Sequence, residues 1–167
     1  MMTAPASMTW SQLLDALRSV PEQLAALMSE ASHDSTAARV TGEDWSVCQI
    51  VGHMCAVESP YRARLVRISL EDHPYVAAIN CITGEYDPET PIAILVETFA
   101  MLRRETIRFL ENLAPLARGR TAVHAELGNI TLRSQVEALS AHDEEHLAQI
   151  VRLLEKQAGN EEGGAHG

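Results

Sequence analysis

His142 and His146 stand four positions apart in Ala141 to Ile150, a stretch without proline or glycine. A helix brings residues at that spacing onto one face, so both imidazoles can ligate a single ion. Turning by about 100° per residue, the helix sets His146 inside the apolar stripe of Leu132, Val136, Leu139, Ile150 and Leu153. His142 falls at the edge of that stripe, beside the interior. His53 holds the matching place in an earlier segment, at one edge of the stripe of Ile50 and Val57. Three imidazoles from two helices would hold one divalent transition metal and leave a coordination position open, as a reactive metal centre requires. Asp143 falls near the middle of the later stripe, where an unpaired carboxylate is costly. It is expected to accept a hydrogen bond or to assist the metal from behind a ligand.

Other readings of the same residues stay open. A histidine pair four apart, and a single histidine on an apolar face, also arise as hydrogen-bonded core residues without any metal. His142 to His146 further spell H-x-x-E-H, the inverted zinc-protease pattern, with Glu145 as candidate general base. That chemistry needs a distal carboxylate ligand and a substrate cleft that one small bundle hardly provides, and Glu145 lies well off the stripe. Glu144 is expected in solvent. His33, His73, His124 and His166 fall in connections or the tail and are expected to be solvated. No residue is singled out as catalytic. Cys48 and Cys55 lack a neighbouring base and read as small buried hydrophobes. Arg103 with Arg104, and Arg118 with Arg120, suit either an anionic cosubstrate or solvated faces.

The elements that must position these residues are helical. Leu13, Leu14, Leu17, Leu24, Leu27 and Met28 recur at helical spacing from Thr9, with Pro21 marking a break or restart. Residues 31–45 show no period. Ser46 and Gln49 then form an S-x-x-Q capping box ahead of Ile50, Met54, Val57, Tyr61, Leu65 and Ile68, and this helix ends near His73 and Pro74. Trp45 is expected as a hydrophobic contact before it. A connection to about Glu89, containing Gly84 and Pro88, is long enough to be functional or partly helical. Thr90 and Pro91 read as N-cap and first residue of a third helix carrying Leu95, Phe99, Leu102, Phe109, Leu110 and Leu113. Residues 114–130 hold a short alternating segment at Thr121 to Leu127, and Thr131 caps the last helix, which is expected to end before Gly159. The expectation is one all-α domain over residues 9–158, with mobile tails at 1–8 and 159–167.

Composition agrees and excludes several partners. Apolar residues make up 46% of the 167, yet aromatics only 4%, which favours helices over sheets. A formal charge of −10 repels phosphate backbones and anionic lipid, so neither nucleic acid nor membrane is expected as a partner. Cys48 and Cys55, seven apart on one helix, lie about 10 Å apart, too far for a disulfide. Three cysteines with no C-x-x-C spacing, and a start, MMTAPASMTW, without basic or apolar leader regions, predict a cytoplasmic protein.

The stretch Asp44-Trp45-Ser46-Val47-Cys48-Gln49-Ile50-Val51-Gly52-His53 resembles the "W-S-x-x-x-I-x-x-H" opening of the second helix in the DinB/YfiT-like superfamily, the damage-inducible four-helix proteins unrelated to the polymerase of similar name. His142 to Ile150 is similar to that family's closing "H-x-x-x-H-x-x-Q-I" helix. The resemblance implies an up-down-down-up four-helix bundle with long connections, frequently a homodimer. It implies zinc or nickel held by a histidine triad that maps onto His53, His142 and His146. It also implies, for some members, metal-dependent transfer of a low-molecular-weight thiol such as bacillithiol or mycothiol to a small electrophile. A metal-binding bundle without turnover and a metal-dependent hydrolase are the alternatives.

Overall fold

Reciprocal caps start the first two long helices. Thr9 Oγ1 accepts from Gln12 N and Gln12 Oε1 accepts from Thr9 N, opening α1 (Trp10–Met28). Ser46 and Gln49 do the same for α3 (Val47–Leu70), as their spacing predicts. Ser46→Ala is therefore expected to lower stability by about 1 kcal/mol and Ser46→Gly by only a few tenths. Urea denaturation checks this, and equal losses for the two variants would show that the hydroxyl is not the source. The computed structural model describes residues 8–29, 31, 33–80, 87 and 90–164. Cys81, Gly84, Pro88 and His166, with residues 1–7 of the first predicted tail and 165–167 of the second, lie outside them.

The later helices differ from expectation at their ends. α4 spans Ile92–Glu111, and its N-cap is Pro91, not Thr90. Pro91 has an extended ψ of 138°, while its carbonyl accepts from Ile94 N and Leu95 N, so helical geometry begins one residue later. Thr131 caps α5 (Leu132–Gly164) as predicted, its Oγ1 accepting from Ser134 N at 3.0 Å. α5 does not stop before Gly159. That glycine keeps a negative φ, since glycine permits the left-handed conformation without imposing it. A short helix, α2 (His33–Ala37), occupies part of the aperiodic 31–45 stretch.

α1 also runs unbroken through Pro21. Proline lacks the N–H that would bond the carbonyl four residues earlier, here that of Leu17. A side chain from α4 supplies the donor instead: Arg103 Nη1 lies 3.2 Å from Leu17 O.

Between the helices lies a three-stranded sheet. β1 (Tyr75–Val76) pairs in parallel with β2 (Thr121–His124), which pairs antiparallel with β3 (Gly128–Thr131), in the order β1-β2-β3. The alternating segment is thus a strand that ends at His124 and returns through a turn closed by Gly128 at φ +71°. Val76, Ala122 and Ile130 are buried under the bundle. Arg120 donates to Ile68 O and Glu71 O, satisfying carbonyls at the C-terminal end of α3.

Contacts between the long helices give their directions. Arg18 of α1 pairs with Glu111 at the C-terminal end of α4, while Leu24 and Met28 join Ile92 and Leu95 near its start, so those two are antiparallel. Cys55 bonds Leu95 O and Arg62 bonds Leu102 O, so α3 and α4 are parallel. Tyr61 bonds Gln135 O while His53 meets His142, so α3 and α5 are antiparallel. The order is up-down-down-up over α1, α3, α4 and α5.

The core has two apolar lobes. One joins Val20, Leu24, Ile50, Met54, Leu95, Phe99 and Ile150; the other joins Leu13, Leu17, Leu65, Ile68, Leu110, Val136 and Leu139. In α3, α4 and α5 the residues at the boundary are charged: Glu58, Arg103 and Asp143, each buried. None of the helices among the described residues is long and apolar enough to cross a membrane.

Candidate metal centre

α3 and α5 run antiparallel, so His53 meets the pair His142 and His146 across their interface. Each of the three offers a ring nitrogen, and the three atoms lie within 4.8 Å of one another. His53 Nε2 and His142 Nε2 are 3.1 Å apart. Two imidazole nitrogens bound to zinc at about 2.0–2.1 Å in tetrahedral geometry stand about 3.3–3.4 Å apart, so an ion fits with slight ring movement. All three residues are half-buried.

Neighbours hold the rings in place. Gln149 Oε1 lies 3.1 Å from His146 Nδ1, which fixes the proton there and leaves Nε2 as the ligand atom. Burial lowers the His146 pKa, and the nearby His142 lowers it further, which favours the neutral ring that a ligand must be. Trp45 stacks on His146 at 6.2 Å and 19° and tilts against His53 at 5.0 Å. It therefore walls the site as well as leading into α3. His142 Nδ1 is buried without a hydrogen-bond partner, and Asp143 Oδ1 stands 3.7 Å from it, beyond hydrogen-bond length but close enough for charge to act.

Asp143 is the hydrogen-bond acceptor its position predicts, and its donor is Arg103. Arg103 is not on a solvated face. Its Nη1 donates to Asp143 Oδ2 at 2.6 Å and its Nη2 to Oδ1 at 3.2 Å. Its Nε and Nη2 reach the two Glu58 oxygens at 2.8 and 2.9 Å. With Leu17 O, every guanidinium N–H has a partner, so none is left for an anionic cosubstrate. All three charged side chains are at most 2% exposed. Burial alone would lower the Arg103 pKa, but the hydrogen bonds to Glu58 and the charge of Asp143 raise it overall.

A cleft of about 300 Å³ opens beside the triad, lined by His53, His142, Tyr61, Arg64, His124 and Glu126 among others. His124 is 6% exposed and is not solvated as its place in a connection suggested. The strand draws it under the bundle, and its Nδ1 accepts from Glu126 N and Leu127 N in the turn. Tyr61 gives its hydroxyl to Gln135 O, and burial pushes its pKa up to about 12. Glu144 and Glu145 are exposed, so the protease-like general base lies away from the triad's buried side. His73 is exposed and bonded to Thr121 Oγ1. Arg104 is exposed, and Arg118 lies over the Trp10 ring at 4.7 Å. Cys48 and Cys55 are buried against Thr36 and Leu95, and burial raises the Cys48 pKa.

Glu58 is the residue sequence reasoning missed. It lies four after Met54 and seven before Leu65, inside the α3 stripe, just as Arg103 lies four after Phe99 and seven before Leu110 in α4. Charges of opposite sign at stripe positions of different helices were the available signal. Trp45 and Gln149 fall within the quoted motifs, but their contacts with the imidazoles depend on the helix pairing.

Fold and site define a class: an up-down-down-up bundle with three histidines converging between its second and fourth long helices. The sequence model of the DinB superfamily matches residues 6–150, and the chain belongs to that superfamily. Among solved structures it is similar to YfiT from Bacillus subtilis, described as a probable metal-dependent hydrolase with an unusual four-helix bundle topology. The TM-score is 0.79 over 94% of each chain at 17% identity, a likeness of fold. No curated protein matches.

Proposed function

We propose that this protein is a metal-dependent enzyme that holds zinc or nickel through His53, His142 and His146 and transfers a low-molecular-weight thiol to a small electrophile. The observation that carries the reading is the convergence of three imidazole nitrogens within 4.8 Å, two of them on His53 and His142 in the wall of an open cleft. A purely structural zinc site has four protein ligands, whereas three leave a position for a reactant. A divalent ion there supplies Lewis acidity, which lowers the pKa of a thiol or a water at neutral pH. The protein's residues orient and shield: Gln149 sets the His146 tautomer, Asp143 stands behind His142, and Trp45 covers two of the rings. Neither Cys48 nor Cys55 lines the cleft, and this reading takes the nucleophile from solution. The quoted motifs favour a thiol of the bacillithiol or mycothiol type. The description of YfiT favours water, and hydrolysis is the second reading.

Cobalt substitution separates them. Adding a low-molecular-weight thiol to the cobalt protein is expected to produce intense near-ultraviolet sulfur-to-cobalt absorption that saturates at one thiol per chain. A spectrum that thiols leave unchanged, in a protein that hydrolyses activated esters, would replace transfer by hydrolysis.

A further inference from the structure

Arg103 touches all four long helices. It sits on α4 and bonds Leu17 O of α1, Glu58 of α3 and Asp143 of α5. Two carboxylates and one guanidinium, all nearly inaccessible, leave one excess negative charge between the apolar lobes. Asp143 Oδ1 is 3.7 Å from a metal-ligand ring on one side, and Asp143 is tied through Arg103 to Glu58 on the other. A buried excess charge is disfavoured unless a counter-charge lies near, and the imidazole cluster is where a cation would lie. A neutral set of three histidines brings no charge of its own to offset a divalent ion.

We propose that the Glu58–Arg103–Asp143 array is the built-in counter-charge of the metal centre, and that Glu58 is a positioning residue for metal binding although it ligates nothing. The proposal rests on the triad being a metal site. Loading the site satisfies the array electrostatically, so metal affinity depends on the formal charge at position 58 and not on its packing alone. The metal and the staple across Pro21 are thereby linked: tightening the array holds Asp143 toward His142 and, through the same guanidinium, holds α1 at Leu17.

The test compares Glu58→Gln, which keeps size and loses charge, with Glu58→Asp, which loses a methylene and keeps charge. Zinc dissociation constants are measured by competition with a chromogenic chelator, and cobalt spectra report ligand geometry. Glu58→Gln is expected to bind zinc about 10–100-fold more weakly, the range found for residues that support ligands. Glu58→Asp should bind within a few-fold of wild type, and the cobalt spectrum should stay that of a three-histidine site in both. Asp143→Asn provides the same comparison if Glu58→Gln fails to fold. Equal affinities for Glu58→Gln and Glu58→Asp, whatever their melting temperatures, would make the array structural and overturn the proposal. So would failure of both charge-neutral variants to fold even with zinc present. A wild-type protein that binds no zinc, nickel or cobalt would overturn the metal reading and this inference together.

Discussion

His146→Ala is expected to abolish stoichiometric metal while leaving the helical content of the protein nearly unchanged. Elemental analysis of the wild type should find about one zinc or nickel per chain, and the variant less than about one tenth of that, because His53 and His142 alone make a two-ligand site. The fold should persist, since His146 is only half-buried and belongs to neither apolar lobe. The structural cost is the lost Trp45 stacking and the Gln149 contact, about 1 kcal/mol. Wild-type metal content in the variant would show that the triad is not the site. Loss of both metal and helical circular dichroism would make the site structural and remove the case for an open catalytic position.

Arg103→Leu is expected to have the larger effect on folding. Removing the guanidinium strands two buried carboxylates and takes from Leu17 O the donor that Pro21 denies it. Breaking a buried ion pair from one side costs about 3–5 kcal/mol. For a domain of this size that is a fall of about 6–20 °C in melting temperature. A control isolates the cause: Glu58→Met combined with Arg103→Met and Asp143→Leu should regain much of the loss, because well-packed apolar residues can replace a buried ionic group. A single variant melting within about 2 °C of wild type would mean that the layer contributes little.

Much of the fold was legible because helices announce themselves locally. The Ser46 and Gln49 box, the Thr131 cap and the 3.6-residue stripes depend on near neighbours, and each is found where the residues put it. The His142 and His146 pair was legible for the same reason, since the helix itself sets their spacing. One error came where a distant group satisfied a local need. Pro21 reads as a break until a guanidinium from α4 bonds the carbonyl it leaves open. Gly159 reads as a stop, yet nothing in its backbone requires the left-handed turn.

By itself, then, the sequence determined that the chain forms four long amphipathic helices, roughly where they begin, and which faces carry His53, His142, His146 and Asp143. Only the tertiary structure decided what those faces meet. It set His53 3.1 Å from His142, moved His124 from an apparent connection into the wall of the cleft, and turned Arg103 inward between Glu58 and Asp143. The physical reason is range. Hydrogen-bonded turns and apolar periodicity act over a few residues, whereas the cost of burying a charge is known only once its partner, 40 or 45 positions away, is in place.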